Sequence, residues 1–233
     1  MVWRNSTCIG FLYDLKTIKE ASDMKKSLLL VLVLVLSAAF WSVGAESSML
    51  DTVYDSLDAD TGIHLNYTMR AESMGVEINY DVQAKGISSY TVKTSQAFGL
   101  SVVDVSCFID DTAYILNLEK MEAQVVTTIS PSLLKYYSFI RQDELGKVME
   151  KCAHKSGFQV ETREVDGASY AVEVYPGDEG TEYAFYFDES GHLVYVRNDT
   201  IKSLGELFYT VNAIDSVVDE TLLDISAYTV ITK

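Results

Sequence analysis

The amino-acid sequence predicts a mainly β (α+β) fold: a curved antiparallel sheet of about ten strands, with one helix before it and a helical insertion midway. Apolar residues occupy every second position through most of the stretch from Ile63 to Val92, which is the period of half-buried antiparallel strands. Gly75 and Gly86 stand where this pattern resets, as turns between paired strands require. With 2 prolines and no low-complexity tract, the 233-residue chain shows no linker that would separate a second domain.

The start of the chain carries the pattern of a secretory signal. Lys25 and Lys26 precede an unbroken apolar run over residues 28–36, and the apolar stretch ends in small residues up to Ala45. A basic region, an apolar core of about 7–15 residues and small residues at the cleavage point define such a signal. We therefore expect cleavage before Glu46. An uncleaved anchor helix is the alternative, because the stretch is close to the lower limit of about 17–25 residues for a membrane span.

This interpretation divides the chain into three parts. Met24 stands where a signal peptide would begin, so residues 1–23 are interpreted as an over-extended start and residues 24–45 as the signal. Residues 46–233 are expected to form the single β-rich domain, with no stable membrane span after processing. We expect this domain to be secreted or extracytoplasmic, at the cell surface or in the envelope.

The predicted mature chain is strongly acidic. Three of the 34 acidic and five of the 18 basic residues lie before residue 46, so residues 46–233 have a net charge of −18. Such a charge repels phosphate backbones over a screening length of about 8–10 Å, which argues against nucleic acid as a partner. No acidic run has the ligand spacing of a calcium loop, and we expect neither a metal nor a cofactor.

Two cysteines follow the signal, Cys107 and Cys152. An exported chain with two cysteines permits one intramolecular disulfide. The alternative is two free thiols, because Cys152 stands at a core-facing position of a predicted helix, where a thiol behaves as a small hydrophobe. The sequence leaves both alternatives open.

Two segments have helical rather than strand periodicity. Near the start of the mature chain, apolar residues recur at helical spacing from Met49 to Leu57, after serines that can cap a helix. Midway, Pro131 stands at the first position of a segment, residues 131–153, with the same period. We expect one bent helix or two short ones there, lying as a lid over the apolar face of the sheet.

The remaining segments are predicted strands separated by turn residues. Asp166 and Gly167 form one of the stronger short hairpin signals, and Gly191 ends the turn of a later pair of strands. The predicted strands after the first three are residues 100–109, 113–118, 123–129, 158–165, 168–175, 183–188, 192–197, 204–214 and 228–231.

Two stretches and the predicted architecture together resemble the LolA-like lipoprotein carriers. Residues 182–197 read EYAFYFDESGHLVYVR and residues 215–228 read DSVVDETLLDISAY, which look like the hairpin and the terminal turn and strand of such proteins. The resemblance implies a half-barrel, with the helices packed on the concave face of the sheet. It also implies an apolar cavity between sheet and helices that binds acyl chains. The chain departs from the carriers in lacking an evident basic residue placed to steer cargo.

The sequence offers no catalytic constellation, so we expect no enzyme. The mature chain has three histidines, His64, His154 and His192, and none stands beside residues that would complete a triad. Carboxylate pairs such as Asp110 with Asp111 stand in turns, where aspartate has a backbone role. No residue is therefore assigned to catalysis.

Two functions remain. The first is an extracytoplasmic, non-catalytic protein that binds or senses a hydrophobic small molecule or lipid in a half-barrel pocket. The second is a secreted or surface-associated protein-interaction module with a filled core, whose partner would be another envelope protein. A cavity between sheet and helices favours the first, and a filled interior with a large exposed apolar patch favours the second. The predicted pocket residues are apolar or aromatic side chains of the sheet and the lid: Val76, Ile78, Tyr80, Val82, Tyr90, Val92, Phe185 and Phe187 on the sheet, and Leu133, Leu134, Tyr137 and Val148 on the lid.

Overall fold

The computed structural model describes residues 48–135, 137–199 and 206–232. The expected signal and the over-extended start fall on residues 1–47 and lie outside the described residues. The chain from Ser47 onward forms one compact unit. Within the described ranges, no helix is long and apolar enough to cross a bilayer.

A single open sheet dominates the described part of the chain, which is mainly β as the sequence predicts. Its twelve strands are β1 (Ile63–Ala71), β2 (Val76–Lys85), β3 (Ser88–Ala97), β4 (Leu100–Ile109), β5 (Thr112–Asn117), β6 (Glu122–Thr128), β7 (Gln159–Val165), β8 (Ala168–Pro176), β9 (Glu182–Phe187), β10 (Leu193–Asn198), β11 (Leu207–Asp215) and β12 (Thr229–Ile231). Their spatial order is β12-β6-β5-β4-β3-β2-β1-β11-β10-β9-β8-β7, so β1 pairs with β11 in the middle of the sheet. The strand pairs are antiparallel except β12 with β6, which is parallel.

Three short α-helices accompany the sheet in the described residues: α1 (Met49–Asp55), α2 (Pro131–Leu134) and α3 (Glu144–Cys152). The predicted amino-terminal helix is therefore present. The helical segment midway is two short helices, one of the two alternatives that the sequence left open. Single 3-10 turns lie at Glu72–Met74, Asp178–Gly180 and Glu220–Leu223.

The two faces of the sheet carry different covers. The face that contains Tyr67 and Val82 packs against α1 and α3 and is called the helical face below. The other face, which contains Tyr90 and Val105, is called the opposite face. The open, curved sheet with helices on one face is the half-barrel that the resemblance implies.

A two-residue turn between β2 and β3 moves the apolar stripe from one face to the other. The turn pairs Lys85 with Ser88, so Val82 lies opposite Thr91 rather than opposite an apolar residue of β3. Directly opposed residues share a face, because side chains alternate with a period of two. The prediction that Tyr90 and Val92 lie on the same face as Val82 is therefore wrong. The alternation was identified correctly within each strand, but the parity of the turn was not taken into account.

The helical face has a filled core beneath β1, β2 and β9–β11. Leu50 of α1 and Leu145 and Met149 of α3 are fully buried against it. The largest side chains that are almost completely buried there are Tyr67, Tyr175, Tyr209, Phe185 and Phe187. These large rings pack together and fill the interior of this part of the half-barrel.

The opposite face of β3–β6 is covered by the carboxyl-terminal segment. Leu222, Leu223, Ile225 and Tyr228 pack against a buried cluster that includes Tyr90. β12 then continues the segment beside β6. The last part of the described chain therefore serves as the cover of the first half of the sheet.

Two buried carboxylates fix the helices to the sheet. Glu173 of β8 accepts hydrogen bonds from Met49 N at 2.6 Å, Leu50 N at 3.2 Å and Ser48 Oγ at 2.7 Å, and so closes the amino-terminal end of α1. Asp143 accepts from Gly146 N at 2.8 Å and caps α3. Each carboxylate satisfies helix N–H groups that have no partner within the helix.

Both cysteines of the described chain are free and buried. Cys107 shares the opposite face with Tyr90, its directly opposed neighbour on β3, while Cys152 of α3 belongs to the core of the helical face. Burial raises the pKa of Cys107 to about 11 and that of Cys152 to about 12. The alternative of two free thiols is therefore the one found, because the sheet lies between the two residues.

Candidate binding groove

The helices leave about half of the helical face uncovered. In the open half, formed by β3–β6, four aliphatic side chains on this face are half or more exposed, whereas in the covered half, formed by β1, β2 and β9–β11, most apolar side chains are buried. The exposed side chains are Leu100, Val102, Ile115 and Val126, and Leu133 of α2 beside them. A row of this kind is the feature of the surface that calls for a functional explanation.

A groove of about 500 Å³ lies where the open half meets the segment before α3. Aromatic side chains form much of its wall: Tyr80, Phe108, Tyr137 and Phe139. The sheet contributes three hydroxyl-bearing residues, Ser89, Thr91 and Ser106, and the aliphatic side chains of Ile115 and Val126. Small-molecule pockets have volumes of about 300–1,000 Å³ and combine apolar walls with a few polar groups, and this groove has both properties.

Stacked rings hold the wall of the groove in place. The rings of Phe108 and Tyr137 stack with centroids 4.2 Å apart and planes 17° apart, which ties the segment between α2 and α3 to β4. Burial raises the pKa of the Tyr137 hydroxyl, and a hydrogen bond with Ser89 opposes that rise. Tyr137 is thus a neutral, partly buried part of the wall.

The inner rim of the groove is the first turn of α3. Asp143 is almost completely buried and also accepts a 2.7 Å hydrogen bond from the hydroxyl of Tyr67. Burial raises the pKa of Asp143, while the hydrogen bonds from Gly146 and Tyr67 act against that rise. A side chain on Gly146 would meet the carbonyl oxygen of Ile140 at 2.3 Å, so α3 approaches the preceding chain as closely as only glycine allows.

Lys93 is the cation among the described residues that line the groove. Its ammonium lies 6.0 Å from the centroid of the Tyr80 ring, and within the described chain it makes no ion pair. Its directly opposed neighbour on β4 is Asp104. The sequence showed no evident basic residue placed to steer cargo, and Lys93 was not predicted as part of the pocket. The two-residue turn at Gly86 is the signal that would have placed it on the helical face.

The predicted pocket residues are distributed over four places in the structure. Tyr80 and Tyr137 line the groove. Leu134 is half-buried and Leu133 is exposed, both in α2. Tyr90 and Val92 lie on the opposite face. Val76 lies on the helical face opposite Ala71. The others belong to the filled core of that face or pack against it: Ile78, Val82, Phe185, Phe187 and Val148.

The residues that sequence reasoning missed come from the middle strands of the open half. Phe108, Ile115 and Val126 line the groove together with Phe139, which lies in the segment between the two short helices. Phe108 and Ile115 lie on one face of the sheet, because Ser106, two residues before Phe108, pairs with Ile115. The parity of the turns decides which face that is.

A second cleft, of about 540 Å³, lies beside α1 at the ends of β10 and β11. It is lined in part by Ser56, His192 and Asp215, and its described lining includes no Phe, Tyr or Trp. The groove of the open half is therefore the better candidate for an apolar ligand.

The histidines lie among carboxylates outside the groove. His64 has Asp215 at 3.3 Å from Nδ1 and Asp81 at 3.3 Å from Nε2, so it joins strands β1, β2 and β11 on the opposite face. His154 Nε2 lies 3.0 Å from Asp55. Over the described ranges, no group of three or more His, Cys, Asp or Glu side chains is arranged to hold a metal ion.

No protein-family model matches the sequence, and no curated protein is significantly similar to it. Similar solved structures include an uncharacterized conserved protein from Thermus thermophilus, with a TM-score of 0.43 and 10% identity over 79% of this chain and 97% of the other. A LolA superfamily protein from Nitrosomonas europaea has a TM-score of 0.33 and 11% identity over 76% of this chain and 96% of the other. A chain of the Pseudomonas aeruginosa MucA/MucB complex has a TM-score of 0.36 and 8% identity over 78% of this chain and 64% of the other. The second of these belongs to the superfamily that the sequence resembles.

Proposed function

We propose that the protein is an extracytoplasmic, non-catalytic binding protein that holds a lipid or another ligand with an acyl chain in the groove of the open half. The observation that carries the proposal is the groove itself: about 500 Å³ of space with aromatic walls, beside apolar side chains that none of the described helices covers. Burying about ten methylene groups there would contribute about 8 kcal/mol, which corresponds to micromolar affinity. Lys93 and the hydroxyls of the sheet are suited to the polar end of such a ligand.

The extracytoplasmic location rests on the sequence. The basic start, the apolar run over residues 28–36 and the small residues before Glu46 form the signal pattern. Amino-terminal sequencing of the protein from the producing cells should begin at Glu46 or within a few residues of it.

The binding proposal is tested by filling the groove. Ser106 lies in the groove on β4, and Ser106→Phe would place a ring where we propose the ligand lies. Val103 is an exposed residue of the same strand on the other face, so Val103→Phe adds the same side chain away from the groove. Native mass spectrometry should show co-purified lipid or fatty-acid uptake for the wild type and Val103→Phe, and loss of both for Ser106→Phe.

A protein-interaction module with a filled core is the second candidate. The observation in its favour is that the core beneath the covered half is occupied by large rings such as Tyr209 and Phe185. If the wild type neither carries lipid nor takes up fatty acid, the ligand proposal is wrong and the interaction module replaces it.

A further inference from the structure

The turn between β3 and β4 presents an unusual surface. Phe98 is 90% exposed and Leu100 is 72% exposed, and Val102 and Val103 behind them are more than half exposed. Residues 94–103 form a run of ten uncharged residues in a chain whose net charge is −16. The hairpin tip, defined as residues 97–103, is therefore both apolar and free of charge.

The backbone conformation at the tip is poorly suited to the residue that occupies it. Phe98 is therefore better explained by an interaction than by a contribution to stability. Phe98 has φ 51° and Gly99 has φ 77°, which is the pair of positive φ angles that a two-residue hairpin turn requires. Asparagine or aspartate normally fills the first of these positions, and a bulky side chain there is strained. The fold thus holds a strained phenylalanine where asparagine would be more stable, with its ring directed into solvent.

The tip is held in the sheet by backbone pairing between its two strands. Ala97 pairs with Leu100, and the ladder between β3 and β4 continues without a shift from there to Ser89 and Phe108. On the neighbouring strand β2, Glu77 lies opposite Gln96 and forms an ion pair with Arg70 at 2.8 Å. A hairpin paired in this way exposes fewer backbone N–H and C=O groups to lipid than an unpaired loop of the same length.

We propose that the hairpin tip is a membrane-docking element that inserts Phe98 and Leu100 into the interface of an electrically neutral lipid bilayer. The size of the surface decides between a bilayer and a protein partner. Four exposed side chains present roughly a few hundred Å², whereas stable protein interfaces bury about 1,200 Å² or more in total. A bilayer sets no such minimum, since each apolar side chain partitions by itself. The acidity of the chain favours neutral lipids over anionic ones.

β4 connects this element with the groove. The strand begins at the tip with Leu100 and ends with Phe108 in the groove wall and Ile109. Docking through the tip does not depend on the groove having a ligand, so this inference and the proposed function stand or fall separately.

The test places a single tryptophan at the tip of the full chain. Trp3 and Trp41 are the two tryptophans of the sequence, and replacing both with Phe removes the background signal. Phe98→Trp in that background reports on the tip. Val217→Trp is the matched control, because Val217 is 75% exposed but follows β11 at the other end of the strands. Phosphatidylcholine vesicles with a nitroxide quencher on the acyl chains provide the bilayer.

We expect the tryptophan at position 98 to be quenched several-fold more strongly than the tryptophan at position 217, and its emission to move to shorter wavelength. Equal quenching at the two positions would overturn the proposal. A shift to shorter wavelength that depends on protein concentration and needs no vesicles would also overturn it, because a second copy of the chain would then cover the tip.

A second variant separates docking from folding. Leu100→Trp provides the tryptophan that reports on the tip. Phe98→Asn, added to the same protein, relieves the strained turn. In the tryptophan-free background, Phe98→Asn should leave the thermal midpoint unchanged or higher and reduce vesicle partitioning of the tip about tenfold or more. Undiminished quenching of the tryptophan at position 100 in the Phe98→Asn variant would show that Phe98 does not insert.

Discussion

The covered half and the open half of the sheet are built from similar strands, but each half buries a different face of the sheet. In the covered half, the apolar stripe of β2 faces α1 and α3, and its centre is buried. In the open half, the buried residues of β3 and β4, such as Tyr90 and Val105, face the carboxyl-terminal segment instead. The cover has changed sides within one continuous sheet. The helical face of the open half therefore has no core of its own, which leaves room for a groove.

This difference predicts a large contrast in stability between the two halves. Phe185 is completely buried in the covered half, whereas Ile115 in the open half is 51% exposed. Phe185→Ala should lower the free energy of unfolding by about 3–5 kcal/mol because it leaves a cavity. Ile115→Ala should lower it by about 1 kcal/mol or less. Urea unfolding of both variants measures the contrast. Equal losses would mean that the open half is covered in solution.

A smaller loss of unfolding free energy is expected when the buried carboxylate of Glu173, rather than a buried aromatic ring, is replaced in the covered half. Both oxygens of Glu173 accept hydrogen bonds, one from Met49 N and the other from Leu50 N and Ser48 Oγ. Glu173→Gln replaces one acceptor with an N–H₂ group that faces donors, so the free energy of unfolding should fall by about 2 kcal/mol. Glu164→Gln on the exposed edge strand β7 is the control and should change little. If Glu173→Gln leaves the free energy of unfolding unchanged, α1 is held by apolar packing alone.

The smallest expected effect is a pH dependence at the border between the two halves. Burial raises the pKa of Asp143 above that of the unfolded chain, so the folded state binds this proton more tightly. The contribution of Asp143 to stability is therefore present at low pH and lost as the pH rises through the folded-state pKa. Asp143→Asn removes the ionisation.

The measurement for Asp143 is the difference in unfolding free energy between the wild type and Asp143→Asn at about pH 7, 5.5 and 4.5. As the pH falls, the wild type should gain stability relative to the variant. A difference that does not change with pH would mean that Asp143 ionises as easily in the folded as in the unfolded chain.

Much of the fold follows from local pattern. The alternation from Ile63 to Val92, the capped helix after Ser48 and the helical period after Pro131 each correspond to an element of the structure. These predictions succeed because the period of apolar residues depends on only a few neighbouring positions. The half-barrel itself was implied by the resemblance to the LolA-like carriers.

The groove could not be predicted in the same way. Its position depends on which face each strand presents, and a two-residue turn changes that assignment for every residue of β3 at once. Tyr90 and Val92 were consequently placed in the pocket, and Lys93 was not predicted there. Glu173 is a further example, because a glutamate in a strand is normally exposed and its partner Met49 lies 124 residues away.

The pairing of β1 with β11 determines when the protein can complete its core. His64 and Asp215, which face each other across this pair, are 151 residues apart in the chain. During synthesis, β1–β6 can pair with one another through short turns, but β1 lacks its second neighbouring strand, β11, until residue 215 has been made. High contact order of this kind slows folding and prolongs the exposure of apolar surface. A chaperone that shields β1 and β2 during that interval would therefore bind the first half of the chain. It would dissociate when the last strands join the sheet.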